Sequence, residues 1–131
     1  MSRPTYIYKL VSHSTPVPEP IPETLPLSEL DVQSGFIHMS TALQVSRTLK
    51  RFFAEEPRVY VLRVDYSVVE KDIKWEDSKG EAPGEVGGDG MFAHIYNRGL
   101  GAAEIESVVV WERNGGNWDE ALKGAESWLV Y

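Results

Sequence analysis

The chain contains no cysteine. Disulfides, thiolate metal sites and a cysteine nucleophile are excluded together, and the composition fits a reducing compartment. Histidine is scarce as well: His13, His38 and His94 are the only three, with no HxH, HExxH or EF-hand spacing, so no metal centre is expected. No stretch approaches the ~18 apolar residues of a membrane helix. The first residues, Met1-Ser2-Arg3-Pro4-Thr5-Tyr6, lack the apolar run of a signal peptide, so the expectation is a cytoplasmic protein away from the membrane. Positive charge is in the minority, 13 Lys and Arg against 20 Asp and Glu, for a net charge of −7. That balance gives no nucleic-acid signal, because phosphate neutralisation needs a basic face. Arg47, Lys50, Arg51, Arg58 and Arg63 lie close together in sequence and form either a local basic patch for a polyanion or a solvated helix face, of which the second is preferred. The glycines lack GxGxxG or P-loop spacing, and no GxSxG elbow supports a Ser-His-Asp hydrolase.

What is present is globular. The 131 residues are 42% hydrophobic and 25% charged, the size and composition of one domain with a real core. Tyr6-Ile7-Tyr8-Lys9-Leu10-Val11 is β-branched and aromatic and predicts a first strand. Residues 14–26 carry five prolines, which cannot sustain a helix or a central strand, so an extended surface loop is expected. Residues 27–34 predict a turn or a brief helix, and Phe36-Ile37-His38-Met39 a short strand. Apolar residues at steps of three and four predict a helix over residues 42–54, with Ser40 or Thr41 as its N-cap. Val59-Tyr60-Val61-Leu62-Arg63-Val64-Asp65 is apolar on nearly every position and predicts a central strand. Residues 67–71 predict one helical turn, and Ile73-Lys74-Trp75-Glu76 a short strand. Residues 77–90 hold five glycines and predict a mobile loop, a candidate lid. Residues 91–96 lead back into ordered structure, residues 105–111 predict a strand, and residues 117–129 predict an amphipathic helix capped by Asn117 and carrying Trp118. Strands cluster without βαβ alternation, which predicts a single α+β domain with a mainly antiparallel sheet and two or three helices.

The residues able to carry chemistry are few. Alternation places Phe36, His38 and Ser40 on one face of their strand. His38 there is either an acid, a base or a ligand contact near neutral pH, or a structural tie between strand and helix. Ser40 and Thr41 are accounted for by capping, and the same helix start would offer N–H groups to an anion. His94 and Tyr96 form an H-x-Y pair that either orients a polar ligand or packs as a half-buried pair. Trp75 is a stacking platform or core, and Glu76 a catalytic carboxylate or a surface charge.

Tyr6-Ile7-Tyr8-Lys9-Leu10, Gly35-Phe36-Ile37-His38-Met39-Ser40-Thr41, Arg51-Phe52-Phe53, Leu62-Arg63-Val64-Asp65, Lys74-Trp75-Glu76 and Phe92-Ala93-His94-Ile95-Tyr96 occur in the order of the landmarks of the domain-of-unknown-function family 952 (DUF952). The chain resembles that family over roughly residues 6–112. The resemblance implies a fold similar to ADP-ribosyltransferases and tRNA 2′-phosphotransferases: a small split sheet with a cleft between its halves. It implies NAD or a related nucleotide in that cleft, with His38 beside the ribose next to the nicotinamide. The expected site is therefore His38 and His94 as catalytic residues, with Ser40, Thr41, Arg51, Trp75, Glu76, Phe92 and Tyr96 binding substrate or cofactor. No glutamate near the end of the sheet stands in a recognisable motif. Glu104, Glu106 and Glu112 are the available carboxylates, and Arg51 and Arg63 the phosphate-binding candidates. Three functions follow: a transferase acting on NAD or a related nucleotide, a small-molecule isomerase or cyclase using His38 and His94 as acid and base, or a non-catalytic module using the proline-rich loop.

Overall fold

The computed structural model describes residues 3–131, so the Met1-Ser2 part of the N-terminal reading lies outside the described residues. Two three-stranded antiparallel sheets form the frame. The first has the order β1 (Tyr6–Ser12), β3 (Arg58–Asp65), β6 (Ile105–Glu112). The second has the order β2 (Ile37–His38), β5 (Phe92–Ile95), β4 (Ile73–Glu76). β3 is central, as its nearly continuous apolar run predicts. Val59 and Val61 point to one face, Leu62 and Val64 to the other, and all four are fully buried. Burying each contributes roughly 1.5–3 kcal/mol.

Among the described residues a single bridge joins the sheets. Tyr8 and Ser40 exchange both backbone hydrogen bonds, each 2.8 Å long. This bridge corrects the capping expectation. Ser40 is extended and paired to β1, so the chain must turn through residues 42–44 before a helix can start. The helix α2 accordingly runs Val45–Phe52, shorter than residues 42–54, with Gln44 at its N-cap and no side-chain cap. The Ser40 hydroxyl instead shares a hydrogen bond with the Thr48 hydroxyl, 3.0 Å, and the Thr41 N–H donates to Gln44 Oε1.

Four α-helices, rather than two or three, occur among the described residues, with a 3₁₀ turn at Glu70–Asp72. α1 (Glu29–Ser34) is capped by Ser28, whose Oγ accepts from the Asp31 N–H, and stops at Gly35 with φ +82°. α3 (Tyr66–Val69) is capped by Asp65. α4 covers Asp119–Gly124, not residues 117–129. The backbone beyond it is claimed by other elements: the Trp128 carbonyl accepts from Arg63 Nη1 and the Tyr8 hydroxyl, and the Val130 N–H donates to Tyr8 Oη. Among the described residues no helix is long and apolar enough to cross a membrane.

The core lies on both faces of the first sheet. Ile7, Leu62 and Val64 pack with Ile37, Met39, Trp75 and Ile95 from the second sheet. Tyr8, Leu10, Val59 and Val61 pack with Val45 and Leu49 of α2 and with Trp111 and Trp118. The proline-rich segment is more than a connector. Val17, Ile21 and Leu25 pack on the first of these clusters, the Leu25 N–H donates to the Leu100 carbonyl, and the Ala102 N–H donates to the Pro22 carbonyl. Residues 77–90 are tied as well, with Asp77 Oδ1 accepting from the N–H groups of Lys79 and Glu81, and the Gly84 N–H donating to the Trp75 carbonyl.

Candidate functional site

The second sheet aligns the chemistry. His38 of β2 is the direct cross-strand partner of His94 in β5, and His94 is in turn the partner of Lys74 in β4. Side chains alternate, so His38, His94, Lys74 and Glu76 share one face while Ile37, Ala93, Ile95 and Trp75 share the other. Alternation alone therefore settles Trp75, and the stacking-platform expectation is corrected. The ring is buried in the core and its Nε1–H donates to the Tyr66 hydroxyl, 3.0 Å.

Each histidine is backed by a carboxylate. Asp31, 2% exposed, accepts from His38 Nδ1 at 2.7 Å and from the His38 N–H at 3.2 Å through Oδ1. Its Oδ2 accepts from Lys9 Nζ at 2.6 Å, and Lys9 also donates to the His38 carbonyl. Burial pushes the Asp31 carboxyl up, but the bonds from His38 and Lys9 outweigh it and hold the group below the usual carboxylate range. An ionised carboxylate only accepts, so Nδ1 of His38 carries the hydrogen and Nε2 is left without a partner among the described residues. The His38 ring is 27% exposed.

His94 is 1% exposed, and its Nδ1 lies 3.0 Å from Glu76 Oε1, which also accepts a 2.5 Å bond from the Tyr96 hydroxyl. Burial drives the His94 pKa below its ordinary value, against the pull of Glu76. Burial raises Glu76, but the hydrogen bonds from Tyr96 and His94 win and its carboxyl stays low. Burial and the Glu76 charge push Tyr96 up to about 12, so it is a phenol at neutral pH. Phe36 stacks on His94 with centroids 4.0 Å apart, and the two imidazoles meet edge-on at 5.3 Å. Gly80 keeps this packing close. Its φ is +74°, and a Cβ there would stand 2.8 Å from the Phe36 ring.

Both histidines line a cleft of about 870 Å³ between the sheets, walled by the proline-rich segment and α2. Leu10, Val17, Leu25, Leu27 and Phe92 give the wall its apolar character. Of the expected residues, His38, His94, Ser40, Arg51 and Phe92 reach the cleft wall. Glu76 and Tyr96 stand behind His94, and Thr41 is buried at the start of the α2 turn. The other named charges are spent elsewhere: Arg63 on Glu106, Glu104 on Arg98, and Glu112 on Arg58. Asp31, Lys9, Phe36 and Arg47 went unrecognised as parts of this site. Asp31 sits in a Ser-x-x-Asp pattern that marks a helix start, but nothing local separates it from Glu19, Glu23 or Glu29. Among the described residues no group of three His, Asp or Glu side chains could hold a metal ion.

Comparison with known proteins places the chain among similar folds. Residues 21–117 match the family described as protein of unknown function, DUF952. The crystal structure of protein CC0527 from Caulobacter crescentus is similar at 25% identity and a TM-score of 0.69, over 91% of this chain and 99% of that one. The solution NMR structure of CC0527 is similar at a TM-score of 0.59, over 85% and 88% of the two chains. No curated protein matches significantly.

Proposed function

The chain belongs to the DUF952 family of proteins of unknown function, so its activity has to come from its own geometry, and we propose that it catalyses proton transfer within a small molecule held in the cleft. The observation that carries this reading is the pair of carboxylate-backed imidazoles set opposite each other in the β2–β5 register, on the wall of an apolar cleft. Asp31 fixes the tautomer and ring plane of His38, leaving Nε2 as the base. In an isomerisation, His38 Nε2 takes a proton from one atom of the substrate and returns it to another, so no co-reactant is needed. His94, kept neutral by burial, offers Nε2 as a hydrogen-bond acceptor that orients the substrate or as a second base. The test is deuterium incorporation from D₂O into a panel of small apolar carbonyl compounds, followed by NMR. Wild-type protein should label at least one of them and His38→Gln none. Absence of labelling by the wild type across the panel would overturn the reading.

A second reading, the transferase on NAD or a related nucleotide, draws support from the split into two sheets with the His38 strand at their junction. The cleft volume is adequate for a nucleotide. The reading ranks second because the cleft wall offers no free carboxylate. Among the described residues Asp31 is the only acid lining it, already committed to Lys9 and His38, while Glu76 lies behind His94. Calorimetric titration with NAD separates the two: micromolar heat that disappears in His38→Ala would favour the transferase.

A further inference from the structure

We infer that the occupant of the cleft is a small amphiphilic anion, an apolar body ending in a carboxylate or phosphate gripped by Arg47 and Arg51. The inference rests on the cleft assigned above to proton transfer and names its substrate class.

The starting observation is a mismatch between composition and pairing. The protein has 20 acids for 13 Lys and Arg, so carboxylates should be available to every arginine. Five of the seven arginines obey: Arg3 pairs with Glu70, Arg58 with Glu112, Arg63 with Glu106, Arg98 with Asp72 and Glu104, and Arg113 with Glu55. Among the described residues Arg47 and Arg51 have no carboxylate partner, and both line the cleft. They stand four apart on α2, where neighbouring like charges repel. An oxyanion between them would relieve that repulsion and accept from both guanidinium groups. Lys79, from residues 77–90, is a third cation on the wall without a carboxylate. Asp31, the only acid on that wall among the described residues, is neutralised by Lys9 and hydrogen-bonded by His38, so the cleft is cationic within an acidic protein.

The apolar half of the ligand follows from the rest of the wall. Leu27, Leu30 and Phe52 are 49%, 51% and 60% exposed, and all three line the same cleft. Exposed large apolar side chains gathered around one concave site mark a binding surface rather than scatter. An inorganic anion would leave them wet. A neutral apolar molecule would leave the two arginines without a counter-charge.

The test is isothermal titration of the full chain at low salt with octanoate, octyl phosphate, octanol and inorganic phosphate. At least one of octanoate and octyl phosphate should bind about tenfold or more tighter than octanol. Arg47→Gln/Arg51→Gln should abolish that advantage while leaving octanol binding and the circular dichroism spectrum unchanged. His38→Gln should retain anion binding. A further tenfold preference for octyl phosphate identifies a phosphate ligand, and equal affinity or a preference for octanoate identifies a carboxylate. Octanol binding as tightly as both anions overturns the inference and leaves the proton-transfer reading standing. So does anion affinity unchanged in the double variant. Failure of octanoate and octyl phosphate to bind overturns it as well. Arginine-dependent anion binding without deuterium labelling of any bound carbonyl acid sustains the inference and removes the proton-transfer reading instead.

Discussion

At the scale of single residues, Asp31 joins folding to chemistry. It is a buried acid whose charge is balanced by Lys9 on one oxygen and whose other oxygen accepts from His38. Removing one member of a buried charge pair strands the other, at a cost of about 3–5 kcal/mol. Asp31→Asn should therefore lower the unfolding free energy measured in urea by that order, and Lys9→Met/Asp31→Asn should recover part of the loss because no charge is stranded. In both variants the imidazolium formed on proton abstraction lacks the Asp31 counter-charge, so deuterium labelling should be low in both. His94 sets a pH response. Its folded pKa lies below the unfolded value of about 6.5, so the stability it contributes is present above that value and lost as pH falls through the folded one. Asp31 and Glu76, both depressed, lose theirs only below the unfolded carboxylate values of about 4. Melting temperature should thus fall in two stages on acidification, and His94→Gln should remove the upper stage alone. A single stage in the wild type below pH 4 would contradict the assignment for His94.

At the scale of elements, the proline-rich segment behaves as a wall with its own docking surface. Prolines deny it a ladder and leave it few N–H groups, and the Leu25 N–H and the Pro22 carbonyl find partners at Leu100 and Ala102. Gly101 makes that approach possible: a Cβ there would lie 1.7 Å from the Glu23 carbonyl oxygen. Gly101→Ala must push the segment away, and should cost about 1–3 kcal/mol in chemical denaturation. Any ligand of the cleft should bind more weakly to that variant, because Val17 and Leu25 would retreat with the segment. The composition of residues 14–26 predicts the absence of helix and strand correctly, because proline acts locally. It says nothing of the docking, because that depends on a glycine some eighty positions away. The α2 start shows the same limit. Ser40 has the right chemistry for a cap, yet a bridge to Tyr8 commits its backbone to an extended conformation first.

At the scale of the whole molecule, β1 and β3 serve two cores at once, Leu62 facing one and Val61 the other. Neither core can open without breaking the sheet that both share. Unfolding should be one cooperative transition, with near-ultraviolet dichroism from Trp75, Trp111 and Trp118 superposing on the far-ultraviolet signal. Leu62→Ala should shift both signals together and cost about 2–5 kcal/mol. Two separable transitions would show that the sheets are independent units.

The sequence by itself determined where most strands lie and which residues share a face within them. Periodicity and turn chemistry act over a few residues, which is why the central place of β3 and the common face of Phe36 and His38 could both be inferred. Tertiary structure alone decided which acid serves which histidine. Asp31 and Glu76 are ordinary acids in the chain, and they became partners of His38 and His94 because a left-handed turn at Gly35 folds α1 back on β2 and because β4 pairs with β5. It also decided which two arginines, among the described residues, were left without a carboxylate, since pairing of charges is settled by proximity in space and not by their count in the sequence.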